Sequence, residues 1–435
     1  MNRHAPLMVA LVLAEIVSAV ESTMIFAALR VFNREFGDPV AVGWTLTAFL
    51  LVAAGSAAVC SRLGDQYGRR KLLLWSVALA VLGSVISALS SGAAGVITGR
   101  AIQGLAGAVL PLCFGLVRQH LPAERVQFGV GVVAAAAFVS GGLAIVGGGV
   151  VIDHLHWHWI FICGAGTALL AWPAVWLWVP RDAEVAARDP VDWPGALLEL
   201  WGRHEWRCAT PLIDVRLLGR RQLALANAAM ALLALGPLQS GFVMSTLLQQ
   251  PPATGVGLGV SATASGLIQA VPMVLAVFVG PAAGLWAQRS GARAPALAAC
   301  VLLLAGWGGV ALWHTVLPWV GAMALVCGAG LALAYATTPM LIVEATPPQR
   351  TSESTGVSSV VRHLFNAIGS QLVALLLASS TVTDAALGPG RFPSAQAFGM
   401  TLAAISGLAL LAFLMAWALP RRAAPAVAAL QGATT

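Results

Sequence analysis

Two runs of the chain, Val42 to Cys60 and Leu72 to Leu89, carry no charged residue, while the short stretch between them, Ser61 to Lys71, holds Arg62, Asp65, Arg69, Arg70 and Lys71. An uncharged apolar run of about 18 residues or more is long enough to cross a bilayer as a helix, which satisfies its own backbone N–H and C=O groups where no water can. The pair therefore reads as two spanning helices joined at one membrane face by Ser61-Arg62-Leu63-Gly64-Asp65-Gln66-Tyr67-Gly68-Arg69-Arg70-Lys71. Gly64 and Gly68 allow a tight reversal and a close approach of two helix ends. Asp65 suits a helix N-terminus or a cation, and Arg69, Arg70 and Lys71 suit the face where positive charge collects.

The rest of the chain repeats this organisation. With 435 residues, 59% hydrophobic and only 9% charged, and a mean hydropathy of +0.85, a soluble domain is excluded. Apolar runs fall at Leu7–Leu29, Val42–Cys60, Leu72–Leu89, Ala93–Val117, Val126–Ile152 and Trp159–Val179, then at Leu223–Leu247, Ala262–Trp286, Ala294–Trp313, Trp319–Val343, Val357–Leu377 and Ala397–Leu419. The expectation is an all-α polytopic membrane protein of 12 helices in two six-helix bundles, residues 1–180 and 222–420, with a central connection 181–221 and a tail 421–435.

The net charge of +7 is topological and not a nucleic-acid signal. Of the 24 Lys and Arg, 19 fall on alternate connections sharing one side, Arg30, Arg34 and Arg391 fall on the other, and Arg100 and Arg362 lie inside apolar runs. The positive-inside rule then puts both termini in the cytoplasm of a multi-pass protein of the inner (cytoplasmic) membrane. Glu15 and Glu21 interrupt the first run, so it reads as a span and not a cleaved signal. The six cysteines are scattered, without disulfide or zinc spacing. A degenerate copy of the polar turn, Gly284-Leu285-Trp286-Ala287-Gln288-Arg289-Ser290-Gly291-Ala292-Arg293, sits between two later runs. Two parallel six-helix repeats would place such a copy between helices 8 and 9.

The Ser61–Lys71 turn resembles the signature loop of the major facilitator superfamily, which joins helices 2 and 3. Asp65, Gly68 and the basic residues match, and Ser61 stands at the family's first glycine. The resemblance implies the major facilitator fold, alternating access, and a conformational gate built from Asp65, Gly68, Arg69 and Arg70. Ala14-Glu15-Ile16-Val17-Ser18-Ala19-Val20-Glu21-Ser22-Thr23 resembles helix 1 of the drug:proton antiporters counted with fourteen spans. Glu21 takes the place of that family's aspartate, Glu15 that of a common Gln, and Arg30 that of a proline. A carboxylate deep in a span costs roughly 2.5 kcal/mol or more to insert. It marks either a functional group or a protonated carboxyl bonded between helices, and both readings stand for Glu15 and Glu21. The two are six residues apart and project from different faces. Glu21 lies about two-thirds of the way along the first run, which places it off the midplane toward the outer side.

Gly43-Trp44-Thr45-Leu46-Thr47-Ala48-Phe49-Leu50 resembles the start of the same family's helix 2, with Trp44 as an interface anchor. Gly99-Arg100-Ala101-Ile102-Gln103-Gly104 resembles its helix 4 motif. Arg100 cannot shed its charge and must find a carboxylate, carbonyls or water, as a member of a proton path or of a structural salt bridge. On helix 5, Ala144-Ile145 stands where the antiporters carry Gly-Pro. That substitution supports the alternative of a proton-independent transporter, or one specific for a metabolite or lipid. Asp153-His154-Leu155-His156-Trp157-His158-Trp159 admits a metal reading for its alternating histidines. The family's Trp-x-Trp-Ile-Phe approach to helix 6, matched by Trp157, Trp159, Ile160 and Phe161, makes an interfacial aromatic belt the better account. Phrases in the 181–221 connection resemble the flanks of the two helices this chain lacks, and that segment suits an inner-surface or solvated linker.

Polar residues inside the later spans are Gln239, Gln269, Trp307, Tyr335, Arg362, His363, Asn366 and Gln371. Arg362, Asn366 and Ser370 share one helical face, and Arg362 reads either as an anchor for the helix 2–3 turn or as a ligand. The expected proton and substrate cavity comprises Glu21, Glu15, Arg100, Gln103, Gln239, Gln269, Tyr335 and Asn366. No nucleotide-binding loop is present, so a gradient supplies the energy. The expectation is a secondary transporter and not an enzyme. It would be a monomer without metal or cofactor, moving a small hydrophobic or amphipathic compound outward against protons. A sensor or enzyme borrowing the fold is the rival, with the histidines as its one hint.

Overall fold

The computed structural model describes residues 4–181, 221–345, 351–383 and 391–420. Of the expected central connection only residues 181 and 221 are described, and the expected tail lies outside the described residues. Among the described residues, 12 helices are long and apolar enough to cross a membrane. They are α1 Ala5–Phe36, α4 Ala93–His120 and α7 Arg221–Gln249, α2 Pro39–Tyr67, α3 Arg69–Leu89, α5 Ala123–His154 and α6 His158–Trp178. The remainder are α8 Ala262–Ser290, α9 Arg293–Leu312, α10 Leu317–Ala345, α11 Thr351–Ala378 and α12 Ala395–Trp417. A short antiparallel pair, β1 Thr381–Val382 with β2 Phe392–Pro393, joins α11 to α12. Nothing in the apolar pattern predicts this pair.

Helix α1 runs past the expected Leu29. Leu29, Phe32 and Asn33 bury one face of its last two turns while Arg30 and Arg34 stay exposed, and Gly37 in the left-handed region (φ 65°) closes it. Arg30 and Arg34 thus ride on helix and not on a loop. Glu21 is the 17th of the 32 residues of this longer helix.

Each half has its own apolar core. Leu11, Val17, Val77, Leu112 and Val175 pack within α1–α6, and Met230, Leu303, Ala334 and Ala416 within α7–α12. A third cluster crosses between halves, bringing Ile25, Phe32 and Leu46 together with Phe242, Trp307 and Ala374. The outer surface is apolar, with Leu170, Leu177, Phe278 and Leu312 about 70% exposed, as a lipid-facing surface requires.

The two halves are internal repeats. A shift of 223 residues carries Gly68 onto Gly291 and Arg70 onto Arg293. Both glycines hold positive φ, 100° and 77°. Arg70 donates to the Trp176 carbonyl and lies over its ring, as Arg293 does with Trp417. The degenerate copy of the turn is therefore a structural copy too. On the face opposite the turns, the contacts between the halves among the described residues include two seams. Thr47 of α2 meets Ser370 and Gln371 of α11, at 2.8 and 3.1 Å. Glycines of α5 and α8 let those helices approach to backbone contact: a Cβ on Gly149 would stand 2.5 Å from the Ala262 carbonyl, and one on Gly266 2.7 Å from that of Ile145.

Candidate functional site

The site begins with a break in α1. The helix is α-helical to Thr23, tightens to a 3-10 turn over Met24–Ala28, and resumes at Leu29. Just before the tightened turn, the Glu21 carbonyl accepts from Arg100 Nη1 at 2.6 Å. Arg100 also donates from Nε to the Thr45 carbonyl of α2 at 3.0 Å and from Nη1 to Gln103 Oε1 at 2.9 Å. Its guanidinium lies 4.3 Å from the Phe49 ring centroid. One planar cation thereby ties α1, α2 and α4 together where α1 changes pitch. Helix α4 makes a matching change directly after Gln103, tightening over Gly104–Ala108.

The Glu21 side chain faces the interior of the first bundle. Its Oε1 accepts from Ser84 Oγ of α3 at 2.6 Å, and Ser84 accepts from Gln103 Nε2 at 2.8 Å. Donor directions are fixed around the ring: arginine to glutamine, glutamine to serine, serine to carboxylate. Glu21 Oε2 stands 4.0 Å from Arg100 Nη1, beyond hydrogen-bond distance, and Arg100 Nη2 has no partner. Glu21, Ser84, Arg100 and Gln103 are all buried, at 5% exposure or less. A small void between Val20, Glu21, Met24, Arg100, Phe161 and Gly164 adjoins the carboxyl group. A Cβ on Gly164 of α6 would come within 2.9 Å of Glu21 Oε1, so a larger residue there would displace the carboxyl. The arrangement can hold Glu21 either as a carboxylate beside a fixed cation or with a proton on Oε2.

The eight residues expected to share one cavity separate into five places. Glu21, Arg100 and Gln103 form the network just described. Gln239, at the break in α7, donates to the Asn366 side chain at 2.9 Å and to the Ala234 carbonyl. Gln269 donates to Ser245 at 2.9 Å and to Ser265 inside the second half. Tyr335 lies under Arg362 at 5.4 Å. Glu15 is buried with Oε2 unpartnered. Polarity in a span demands a partner without saying on which face the partner lies, and the eight fall into five separate sets.

Among the expected gate residues, Gly68 forms the turn, Arg69 donates to the Gly115 carbonyl at 2.8 Å, and Arg70 reaches Trp176. The Asp65 side chain lies outside the described residues. Arg362 lies beside His363 and Tyr335 in the second half. His156 and His158 face each other at 2.6 Å, and His158 meets the Ser90 carbonyl at 2.9 Å. Among the described residues no three His, Cys, Asp or Glu side chains gather as a metal site.

Two participants escaped the sequence reading. Ser84 shares a buried stripe of α3 with Ser76 and Ser87, and that helical spacing was its only signal. Asp153 of α5 accepts from the Ala262 and Thr263 backbone N–H groups of α8. The repeat adds a contrast: the 223-residue shift carries Ser84 onto Trp307, which is wholly buried and donates to the Pro237 carbonyl at the α7 break. Where the first half has a carboxyl network, the second has an indole.

The family model described as "Major Facilitator Superfamily" matches residues 11–370. A Mycobacterium tuberculosis protein named multidrug resistance protein B homolog is 27% identical over 411 residues, covering 84% of this chain and 75% of its own. Efflux pump dotC of Dothistroma septosporum is 29% identical over 203 residues, covering 46% and 35%. In structure, the chain resembles the nucleoside transporter NupG with a TM-score of 0.71 at 12% identity, over 96% of this chain and 99% of that one. At that identity the likeness speaks for the fold alone.

Proposed function

This chain belongs to the major facilitator superfamily and is a multi-pass transporter, and we propose that it exports small hydrophobic or amphipathic compounds by alternating access in exchange for protons. The observation that carries this reading is the Glu21 carboxyl, buried at mid-helix, bonded to Ser84 and standing 4.0 Å from Arg100. A carboxyl held so can take a proton from one side of the membrane and release it to the other as the cycle moves it between environments. The names of the relatives, an efflux pump and a multidrug resistance protein homolog, support the direction and the substrate class.

In this reading the turn face, where Arg69, Arg70 and Lys71 lie, is cytoplasmic, and the protein acts as a monomer in the inner membrane. The seams on the opposite face then make the structure inward-facing. The Ser61–Lys71 segment, which reverses at Gly68 between α2 and α3, gates the cycle, and the two bundles, bounded near residues 180 and 222, rock against each other. Ile145 in place of the antiporters' proline favours a second reading, in which Glu21 and Arg100 form a structural pair and transport is not proton-driven. Purified protein in proteoliposomes decides between them: ethidium flux should accelerate several-fold under an imposed pH gradient. Equal flux with and without the gradient would favour the second reading.

A further inference from the structure

The carboxylate of Asp153 does a task that α8 does not need done. Helix α8 already caps itself, since Ser261 Oγ accepts from the Ala264 N–H at 3.2 Å. The repeat supplies the comparison, because the 223-residue shift carries the α2 cap Asp38 onto Ser261, and Asp38 likewise caps its own helix through the Val40 N–H at 2.9 Å. To that ordinary cap α8 adds a charged group from the other half of the molecule. Asp153 Oδ1 accepts from the Ala262 N–H at 3.0 Å and Oδ2 from the Thr263 N–H at 2.8 Å.

A carboxylate across the first free N–H groups of a helix gains from the hydrogen bonds and from the positive end of the helix dipole. Here the two partners belong to different halves. They sit at the end of the glycine-lined α5–α8 seam, just beyond Gly149 and Ala262. Separating the halves on this face must strip the carboxylate from both N–H groups at once, while the Ser261 cap, internal to α8, survives.

We propose that Asp153 is an inter-half latch that holds the face opposite the Ser61–Lys71 turn closed, so that its release is required when that face opens. The proposal rests on the alternating-access reading above, but it predicts an equilibrium between two faces and not a coupled ion. The test is labelling of Ile145→Cys, whose parent side chain is 1% exposed beside the seam, by a membrane-impermeant maleimide applied to sealed vesicles from that face. The same protein without the added cysteine gives the baseline. With Asp153 intact, labelling should be slow. Adding Asp153→Ala should speed it at least fivefold, and Asp153→Asn, which keeps the shape without the charge, by an intermediate factor. Ser261→Ala, which removes α8's own cap and the hydroxyl beside Asp153 but leaves both N–H groups to the carboxylate, should leave the rate within twofold. If Ile145→Cys folds poorly, Val146→Cys on the same stretch of α5 serves instead. Labelling unchanged by Asp153→Ala, or accelerated as strongly by Ser261→Ala, overturns the latch. Ethidium flux with and without a pH gradient, measured on the same variants, separates its failure from failure of the coupling reading.

Discussion

Replacing Arg100 by lysine keeps the charge and removes the fork. The guanidinium reaches the Thr45 carbonyl, the Glu21 carbonyl and Gln103 Oε1 in different directions, at 3.0, 2.6 and 2.9 Å. An ammonium at the end of a flexible stem is a point charge, and it can keep one of those three contacts. Two charge-assisted bonds are lost. In water-soluble proteins such bonds contribute about 1.5–3 kcal/mol each, but inter-helix hydrogen bonds in membranes average about 0.6 and reach about 1.7 kcal/mol, because the unfolded chain in lipid also finds partners. The membrane figures govern here, so Arg100→Lys should cost about 1–3 kcal/mol. At roughly 2 °C per kcal/mol for a chain larger than 250 residues, the apparent melting midpoint in detergent should fall by about 2–6 °C, and folded yield should drop with it. A double-mutant cycle of Glu21→Gln and Arg100→Leu isolates the pair itself, with an expected coupling of about 1–2 kcal/mol. Arg100→Lys melting within about 0.5 kcal/mol of the parent at normal yield would refute the tie between α1, α2 and α4. If gradient-driven flux were also abolished in that well-folded variant, Arg100 would move from structural tie to proton path.

Three further outcomes follow from the same contacts. Ser84→Ala removes the donor to Glu21 Oε1 and strands Gln103 Nε2, so thermal unfolding should show a loss of about 1–2 kcal/mol together with a shift in the pH dependence of flux. Gly164→Ala puts a methyl group where Glu21 Oε1 lies 2.9 Å away; it should cost about 1–3 kcal/mol and weaken gradient-driven flux more than substrate binding, as paired flux and binding titrations would show. Asp65→Asn should slow flux at least several-fold while leaving ethidium affinity nearly unchanged, because the turn lies at one membrane face, away from Glu21; a large loss of affinity would remove the gate assignment.

What could be read from the sequence divides along the cost of burying each group. Glu21, Arg100 and Gln103 were legible because ionised and amide groups are expensive in a span and stand out from an apolar run. Ser84 was not, since a hydroxyl in a helix can bond its own preceding turn and so carries little signal. Thr45 and Glu21 act on Arg100 through backbone carbonyls, which every residue has, and nothing in a side-chain pattern marks which of them a distant arginine reaches. The twelve spans and the repeated turn were legible for the same reason as the charges: lipid enforces long apolar runs, and Gly68 and Gly291 recur at the same place in two copies. Rotation about the helix axis is not legible, so polarity alone does not separate Gln239, Gln269 and Tyr335, which bond within the second half, from Glu21. Asp153 falls just past the expected end of its run at Ile152, where nothing in the pattern marks a partner on α8.

The central claim is that Glu21 couples a proton to transport, and Glu21→Gln tests it most directly. The amide keeps the size of the protonated carboxyl and can still accept from Ser84, so the variant should fold, bind ethidium and exchange it across proteoliposomes at equilibrium. Uphill ethidium transport driven by an imposed pH gradient should be lost, whereas Glu15→Gln should retain it. If Glu21→Gln carried ethidium uphill under the gradient as fast as the parent, the coupling role of Glu21 would be contradicted.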